Sequence, residues 1–147
     1  MSEAARAAEA LVGAWTLRSD SREILATGEK APLLGAHPTG TLVYTGDGRV
    51  TAIVLADGRK APEGLTASDP EAVALFRTMV AYAGRYTVEA ERILHHVEQS
   101  WNATWTGTDL VRFYKLEGSR LTLTTAPAPN PRDGALSVST LVWERLP

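Results

Sequence analysis

The sequence contains no cysteine, no long apolar run and almost no net charge, and each absence removes a class of protein. Without cysteine among its 147 residues, the chain has no disulfides, thiolate metal sites or cysteine nucleophile. No apolar run approaches the ~20 residues of a membrane span. Fifteen Lys and Arg oppose 17 Asp and Glu, and the basic residues are scattered singly rather than in a stripe. We therefore expect neither nucleic acid nor membrane as a partner.

Several catalytic motifs are also absent. The sequence has no glycine-rich phosphate loop, no Gly-x-Gly-x-x-Gly opening a helix, no His-Glu-x-x-His and no Gly-x-Ser-x-Gly. We therefore predict no cofactor and no metal, since adjacent His95 and His96 diverge on a strand and cannot chelate one ion. Residues 1–10 lack the apolar segment of an export signal, which favours a cytoplasmic location.

Short strand patterns bounded by Gly, Asp, Asn and Pro recur along the chain and predict an all-β protein that is an antiparallel sandwich or barrel. We expect a single domain over residues 1–147, with Asp47-Gly48 and Glu117-Gly118 as tight hairpin turns. The predicted strands number eight, or nine if the second is included: Val12–Ser19, Arg22–Leu25, Thr41–Thr45, Arg49–Leu55, Arg85–Val88, Arg92–Ser100, Asp109–Leu116, Leu121–Thr125 and Val138–Leu146.

One segment departs from the strand pattern and predicts a helix over about residues 69–83. Ser68 can cap it, Glu71 can complete a capping box, and Gly84 can end it. Phe76 lies on its apolar face, so we expect the helix to pack against the mouth or wall of the barrel.

Alternation along two strands predicts which side chains enter the barrel. Residues 93, 95, 97 and 99 share one strand face, which carries two β-branched apolar residues, whereas the opposite face carries Glu98. We therefore assign His95 to the interior. On the next strand Lys115 suits solvent, which turns Arg112 and Tyr114 inward.

A polar site follows if these strands pair across a connection centred near Thr104 and Trp105. His95 then lies opposite Tyr114, and Arg112 lies opposite Val97, one pair further on, with direct neighbours ~5 Å apart at Cβ. We predict His95, Tyr114 and Arg112 as the catalytic group in an apolar chamber. The predicted ligand-binding residues are Leu42, Tyr44, Phe76, Val97, Gln99, Trp101 and Trp105.

Structural interpretations of the same residues remain open. His95 could be a core histidine held by a backbone carbonyl or by Tyr114, and Arg112 could pair with an inward carboxylate or stack on a tryptophan. A register shift of one residue would instead bring His96, Glu98 and Ser100 inside.

Segments from about Leu11 to Arg145 resemble the small bacterial and fungal lipocalin-like domain family, of the calycin type. The resemblance implies an all-β, antiparallel up-and-down lipocalin-like barrel. It is carried by Gly40–Val50, Tyr82–Tyr86, His95–Ser100, Trp105–Thr108, Arg112–Tyr114, Arg120–Thr125 and Leu141–Arg145.

Gly13-Ala14-Trp15 resembles the Gly-x-Trp that opens the first strand of lipocalin-type barrels. In such barrels the tryptophan closes one end, and a basic residue of the last strand covers its ring. The resemblance thus implies Trp15 and Arg145 as a structural plug.

Two functions follow. Related lipocalin-like barrels of secondary metabolism include cyclases and isomerases that hold a polyketide-like substrate. If the chain is such an enzyme, it needs no cofactor. His95 would move a proton, and Arg112 together with Tyr114 or Tyr44 would stabilise an enolate. As a carrier, it would hold a small hydrophobic ligand without turnover. The sequence leaves monomer and homodimer open.

Overall fold

The computed structural model describes residues 2–147, which form mainly antiparallel sheet with two short helices. Neither helix in these residues is long and apolar enough to cross a membrane. The elements are α1 (Glu3–Leu11), β1 (Gly13–Ile24), β2 (Lys30–Ala31), β3 (Thr39–Tyr44), β4 (Arg49–Leu55), α2 (Asp69–Arg77), β5 (Met79–Val88), β6 (Arg92–Ser100), a 3-10 turn (Ala103–Trp105), β7 (Asp109–Glu117), β8 (Arg120–Thr125), β9 (Ala128–Pro129) and β10 (Leu136–Arg145).

Eight strands close into a barrel. They run β1-β3-β4-β5-β6-β7-β8-β10, and β1 pairs again with β10, so the ring has no free edge. The two-residue strands β2 and β9 lie beside β1 and β10. The predicted antiparallel up-and-down barrel is confirmed. Its two predicted tight hairpins turn at Gly48 (φ 91°) and Gly118 (φ 61°), where the positive φ favours glycine.

The α2 helix begins where the sequence predicts but ends earlier. The Ser68 N–H donates to Glu71 Oε1 (2.8 Å) and the Glu71 N–H to Ser68 Oγ (3.4 Å), which completes the capping box. Its last carbonyls, of Leu75 and Thr78, accept from Arg59 at 3.0 Å each. Residues 79–83 lie in β5 instead, because alternate side chains there enter the barrel and the backbone pairs with β4.

Gly84 does not end a helix; it lies at a β-bulge within β5. The β5–β6 register shifts between Ala83↔Gln99 and Gly84↔Val97. A Cβ on Gly84 would lie far inside van der Waals contact with the His96 carbonyl oxygen, so this close approach requires glycine. The bulge turns Gln99 outward, where it is exposed, and the prediction that Gln99 lines the interior was wrong.

The closed end of the barrel carries the unpredicted helix α1. Ser2 caps α1 by accepting from the Ala5 N–H (3.0 Å), and Leu11 at its end is fully buried. The indole Nε1 of Trp15, itself 0% exposed, donates to the Leu11 carbonyl (3.0 Å). The helix therefore covers the interior next to Trp15.

Arg145 lies over Trp15, with the guanidinium carbon 4.3 Å from the ring centroid. It also donates to the carbonyl oxygens of Val12 (2.8 Å) and Ala10. Gly13 makes room for it: at φ 135°, a Cβ there would come within 2.9 Å of Arg145 Nη1. Backbone conformation and space thus both explain the glycine of Gly13-Ala14-Trp15.

Candidate functional site

The barrel encloses a cavity of about 190 Å³ with a mainly apolar lining. An apolar cavity of about 150 Å³ is enough to hold benzene, so this volume suits a small aromatic molecule. At one end it is bordered by α2 and by the loops that contribute Leu34 and Pro131. The apolar wall residues include Leu42, Ala52, Val54, Leu110, Leu123 and Leu141.

A buried histidine lies between two tyrosines on the β5–β6 side of the barrel. His95 is 1% exposed; its Nε2 is 2.7 Å from the Tyr44 hydroxyl and its Nδ1 is 2.7 Å from the Tyr82 hydroxyl. Tyr82 and His95 line the cavity, whereas Tyr44 lies behind His95. We call these three residues the Tyr-His-Tyr chain.

Hydrogen-bond requirements fix which residue donates and which accepts in the Tyr-His-Tyr chain. A neutral imidazole has one N–H donor and one acceptor nitrogen, so one tyrosine donates to His95 and the other accepts from it. Tyr44 is 1% exposed, and within residues 2–147 its hydroxyl bonds only to His95. A buried hydroxyl left without an acceptor is costly, so Tyr44 donates to Nε2 and the proton of His95 is on Nδ1. Tyr82 then accepts from Nδ1–H and has its own O–H free for the cavity.

Electrostatics keep this chain uncharged near neutral pH. Burial, followed by the charges of Arg112 and His96, holds the pKa of His95 well below its usual value. Burial raises the pKa of Tyr44 and Tyr82, and Arg112 partly opposes the rise at both. His95 is therefore a neutral imidazole between two protonated phenols.

Arg112 brings a positive charge to the same cavity. It lies on β7 opposite Ile93 of β6 and Thr125 of β8, and it lines the interior. Its charge acts on Tyr44, Tyr82 and His95 together. A guanidinium beside a phenol O–H is an arrangement that receives a carbonyl oxygen or an oxyanion.

Tyr114, predicted to be part of the catalytic group, lies elsewhere. His95 faces Leu110 and not Tyr114, because the chain turns back near Asn102 rather than near Thr104 and Trp105. The Tyr114 hydroxyl instead donates to the carbonyls of Glu89 and Ala90, at 3.2 Å each. The predicted pairing of His95 with Tyr114, and of Arg112 with Val97, was wrong.

Tyr82 is the site residue that the sequence did not reveal. It falls in the segment assigned to the helix, although residues 79–88 also alternate as a strand does, and that alternation was the available signal. Among the other predicted ligand-binding residues, Leu42, Phe76, Trp101 and Trp105 line the cavity. The remaining two, Tyr44 and Val97, are buried in the core beside the cavity and do not line it.

The alternative histidine lies on the outer face. His96 Nδ1 is 2.8 Å from Asp109 and its Nε2 is 2.8 Å from Thr87. Glu98 pairs with Arg49 and Arg85, also outside. Across residues 2–147, no three His, Asp or Glu side chains are grouped to hold a metal ion.

A family model described as a lipocalin-like domain matches residues 12–146. The chain belongs to this lipocalin-like family. It is also similar to the "4'-hydroxy-3'-methoxypropiophenone carrier protein ppsC" of Aspergillus oryzae, with 32% identity over 109 residues. That match covers 67% of this chain and 97% of the relative.

Proposed function

We propose that this barrel is a carrier for a small, mostly apolar molecule bearing a carbonyl oxygen. The observation that carries the proposal is the Tyr82 hydroxyl, held by His95 and lying beside Arg112, on the wall of a mainly apolar cavity. Pockets for small molecules are built in this way, with a few polar groups that orient an apolar ligand. The relative from Aspergillus oryzae is named as the carrier of an aryl ketone, which supports the same ligand class here.

The geometry favours carrying over catalysis. A general base needs a nitrogen within hydrogen-bond reach of the proton that it removes. Both nitrogens of His95 are occupied, one by Tyr44 and one by Tyr82, each at 2.7 Å. His95 thus orients Tyr82 and has no position open for a substrate proton.

Binding is tested with propiophenone and propylbenzene, which differ by the carbonyl oxygen. We expect propiophenone to bind about tenfold more tightly by isothermal titration calorimetry, as a hydrogen bond of ~1.4 kcal/mol gives.

Val54→Phe fills the cavity and should abolish binding, whereas Ile53→Phe, on the outer face of the same strand, should not. Equal affinity in both variants would contradict an interior site.

A second candidate function is a cofactor-independent cyclase or isomerase. The observation that favours it is a neutral buried imidazole beside a guanidinium and a phenol, a set able to stabilise an enolate. In this function the Tyr82–His95 hydrogen bond opens when substrate binds, and the imidazole changes tautomer so that Nε2 carries the proton and donates it in a hydrogen bond to Tyr44. The unprotonated Nδ1 then removes the proton α to the carbonyl, which leaves an imidazolium and an enolate beside Arg112.

Loss of the α-protons of propiophenone in D₂O, followed by proton NMR, distinguishes the two functions. An enzyme accelerates exchange, and His95→Gln removes the acceleration while leaving affinity within a few-fold. A carrier binds propiophenone without accelerating exchange.

A further inference from the structure

Two buried polar atoms without partners line the cavity opposite the Tyr-His-Tyr chain. Within residues 2–147, the buried side-chain atoms that lack a hydrogen-bond partner are Asp20 Oδ1 and Trp143 Nε1. Both residues line the cavity, and Trp143 is only 2% exposed. Buried polar atoms are nearly always paired, so an unpaired donor and an unpaired acceptor in one cavity indicate a missing partner.

The carboxylate of Asp20 is fixed in place. Its Oδ2 accepts from the backbone N–H groups of Leu33 (2.9 Å) and Leu34 (3.2 Å), which leaves Oδ1 available. A register shift between Leu17 and Ser19 turns Asp20 inward. Burial raises the pKa of Asp20, and hydrogen bonds from the backbone N–H groups of Leu34, Leu33 and Asp20 itself only partly offset this, so the carboxylate is poorly solvated.

Trp143 is a near neighbour of Asp20 on the barrel wall. Asp20 lies opposite Leu141, and Trp143 is two residues further along β10, facing the same side. Such diagonal neighbours are ~7–8 Å apart, a separation that one small group can bridge. A hydroxyl fits both needs, because its oxygen accepts from the indole N–H while its proton goes to the carboxylate.

The barrel places this pair across the cavity from the first polar group. In the ring of eight strands, β1 and β6 are four strands apart, as are β10 and β5. Asp20 and Trp143 thus face the wall that carries His95 and Tyr82, with apolar side chains such as Leu123 between them.

We propose that Asp20 and Trp143 form a second polar subsite, which recognises a hydroxyl group at the end of the ligand opposite its carbonyl oxygen. This inference rests on the proposed function and narrows the ligand class to apolar or aromatic molecules with a carbonyl at one end and a hydroxyl at the other.

The test compares 4'-hydroxypropiophenone with propiophenone, which differ by one hydroxyl. We expect the wild type to bind the hydroxylated ketone about tenfold more tightly by calorimetry. Asp20→Asn preserves an oxygen for the Leu33 and Leu34 N–H groups but replaces the free acceptor with a donor. It should reduce the preference to about twofold or less, with propiophenone affinity nearly unchanged. Asp109→Asn, an outer-face carboxylate 62% exposed, is the matched control and should keep the full preference.

Several results would overturn the subsite. It fails if the wild type does not prefer the hydroxylated ketone, or if Asp20→Asn retains the preference; normal binding of propiophenone would then leave the proposed function intact. If neither ketone binds the wild type, both proposals fail. A complex structure with an ordered water between Asp20 and Trp143, and the ligand hydroxyl elsewhere, would also overturn the subsite.

Discussion

The two most buried tryptophans of the barrel interior differ in whether the indole N–H has a hydrogen-bond partner. Trp15 is 0% exposed and Trp143 is 2% exposed, so both rings are removed from water. The indole N–H of Trp15 donates to Leu11, and Arg145 covers its ring. The indole N–H of Trp143 has no partner among the described residues and lies on the cavity wall.

The same contrast extends to the surroundings of each ring. At the closed end, Arg145 donates to backbone carbonyls and Tyr114 does likewise, so the polar groups satisfy one another. In the cavity, Asp20 keeps a free oxygen and Tyr82 a free O–H. The closed end therefore stabilises the fold. The cavity contains polar groups that lower the stability of the free protein and that a ligand can satisfy.

The largest effect is expected at the closed end. Trp15→Ala should lower the free energy of unfolding by about 3–5 kcal/mol, because it removes a buried ring and leaves a void. Arg145→Ala should cost about 1–2 kcal/mol, the size of a desolvated cation–π contact. Urea denaturation measures both. A cost below about 1 kcal/mol for Trp15→Ala would show that this end does not hold the barrel together.

A smaller effect is expected at His95, and it depends on pH. The folded-state pKa of His95 lies below its unfolded value, so the unfolded chain binds the extra proton and stability falls as pH drops below about 6.5. Between about pH 6.5 and 5.5 this contributes a loss of about 1 kcal/mol.

His95→Gln should remove that part of the pH dependence, since an amide can bond to both tyrosines but does not titrate in this range. His96→Gln, its neighbour on the outer face, is the matched control and should retain the wild-type slope. Urea denaturation across this pH range measures the difference, and identical slopes for wild type and His95→Gln would contradict a buried neutral imidazole.

The smallest effect, and one of opposite sign, is expected at Asp20. Asp20→Asn should leave stability unchanged or raise it by up to about 1 kcal/mol, because it removes the charge of a half-buried carboxylate whose Oδ1 has no partner among the described residues, while keeping the Leu33 and Leu34 contacts. Thermal melting monitored by circular dichroism measures the change. If Asp20→Asn markedly destabilises the protein, Asp20 stabilises the fold as Trp15 does, and the proposed difference between the cavity and the closed end is wrong.

Local patterns were enough to predict short antiparallel strands, and the resemblance to lipocalin-like domains distinguished a barrel from a sandwich. Alternation placed His95 on an inner face, because its strand has β-branched residues on one side and Glu98 on the other. Arg112 was placed inward because Lys115, on the opposite face of its strand, suits solvent. The hairpins at Gly48 and Gly118 follow from turn chemistry that involves only neighbouring residues. The helix α1 was not predicted.

Features that depend on a partner strand were not predictable in this way. Gly84 has the same local signature at a helix end and at a bulge, and only the approach of the His96 carbonyl distinguishes them. The position of Tyr114 depended on where the β6–β7 connection turns, and an error of two residues there displaced the pairing by four. Tyr82 was hidden because its segment satisfies both helical and strand periodicity.

The most direct test of the central claim is the carbonyl preference of two tyrosine variants. The ratio of propylbenzene to propiophenone dissociation constants should be about ten in wild type, as one hydrogen bond gives. Tyr86→Phe removes a hydroxyl that donates to the Thr45 carbonyl away from the cavity wall and should keep a ratio near ten. Tyr82→Phe removes the O–H that faces the ligand and should bring the ratio to about one. A ratio that survives Tyr82→Phe, or that is lost equally in Tyr86→Phe, would contradict the carbonyl site at Tyr82.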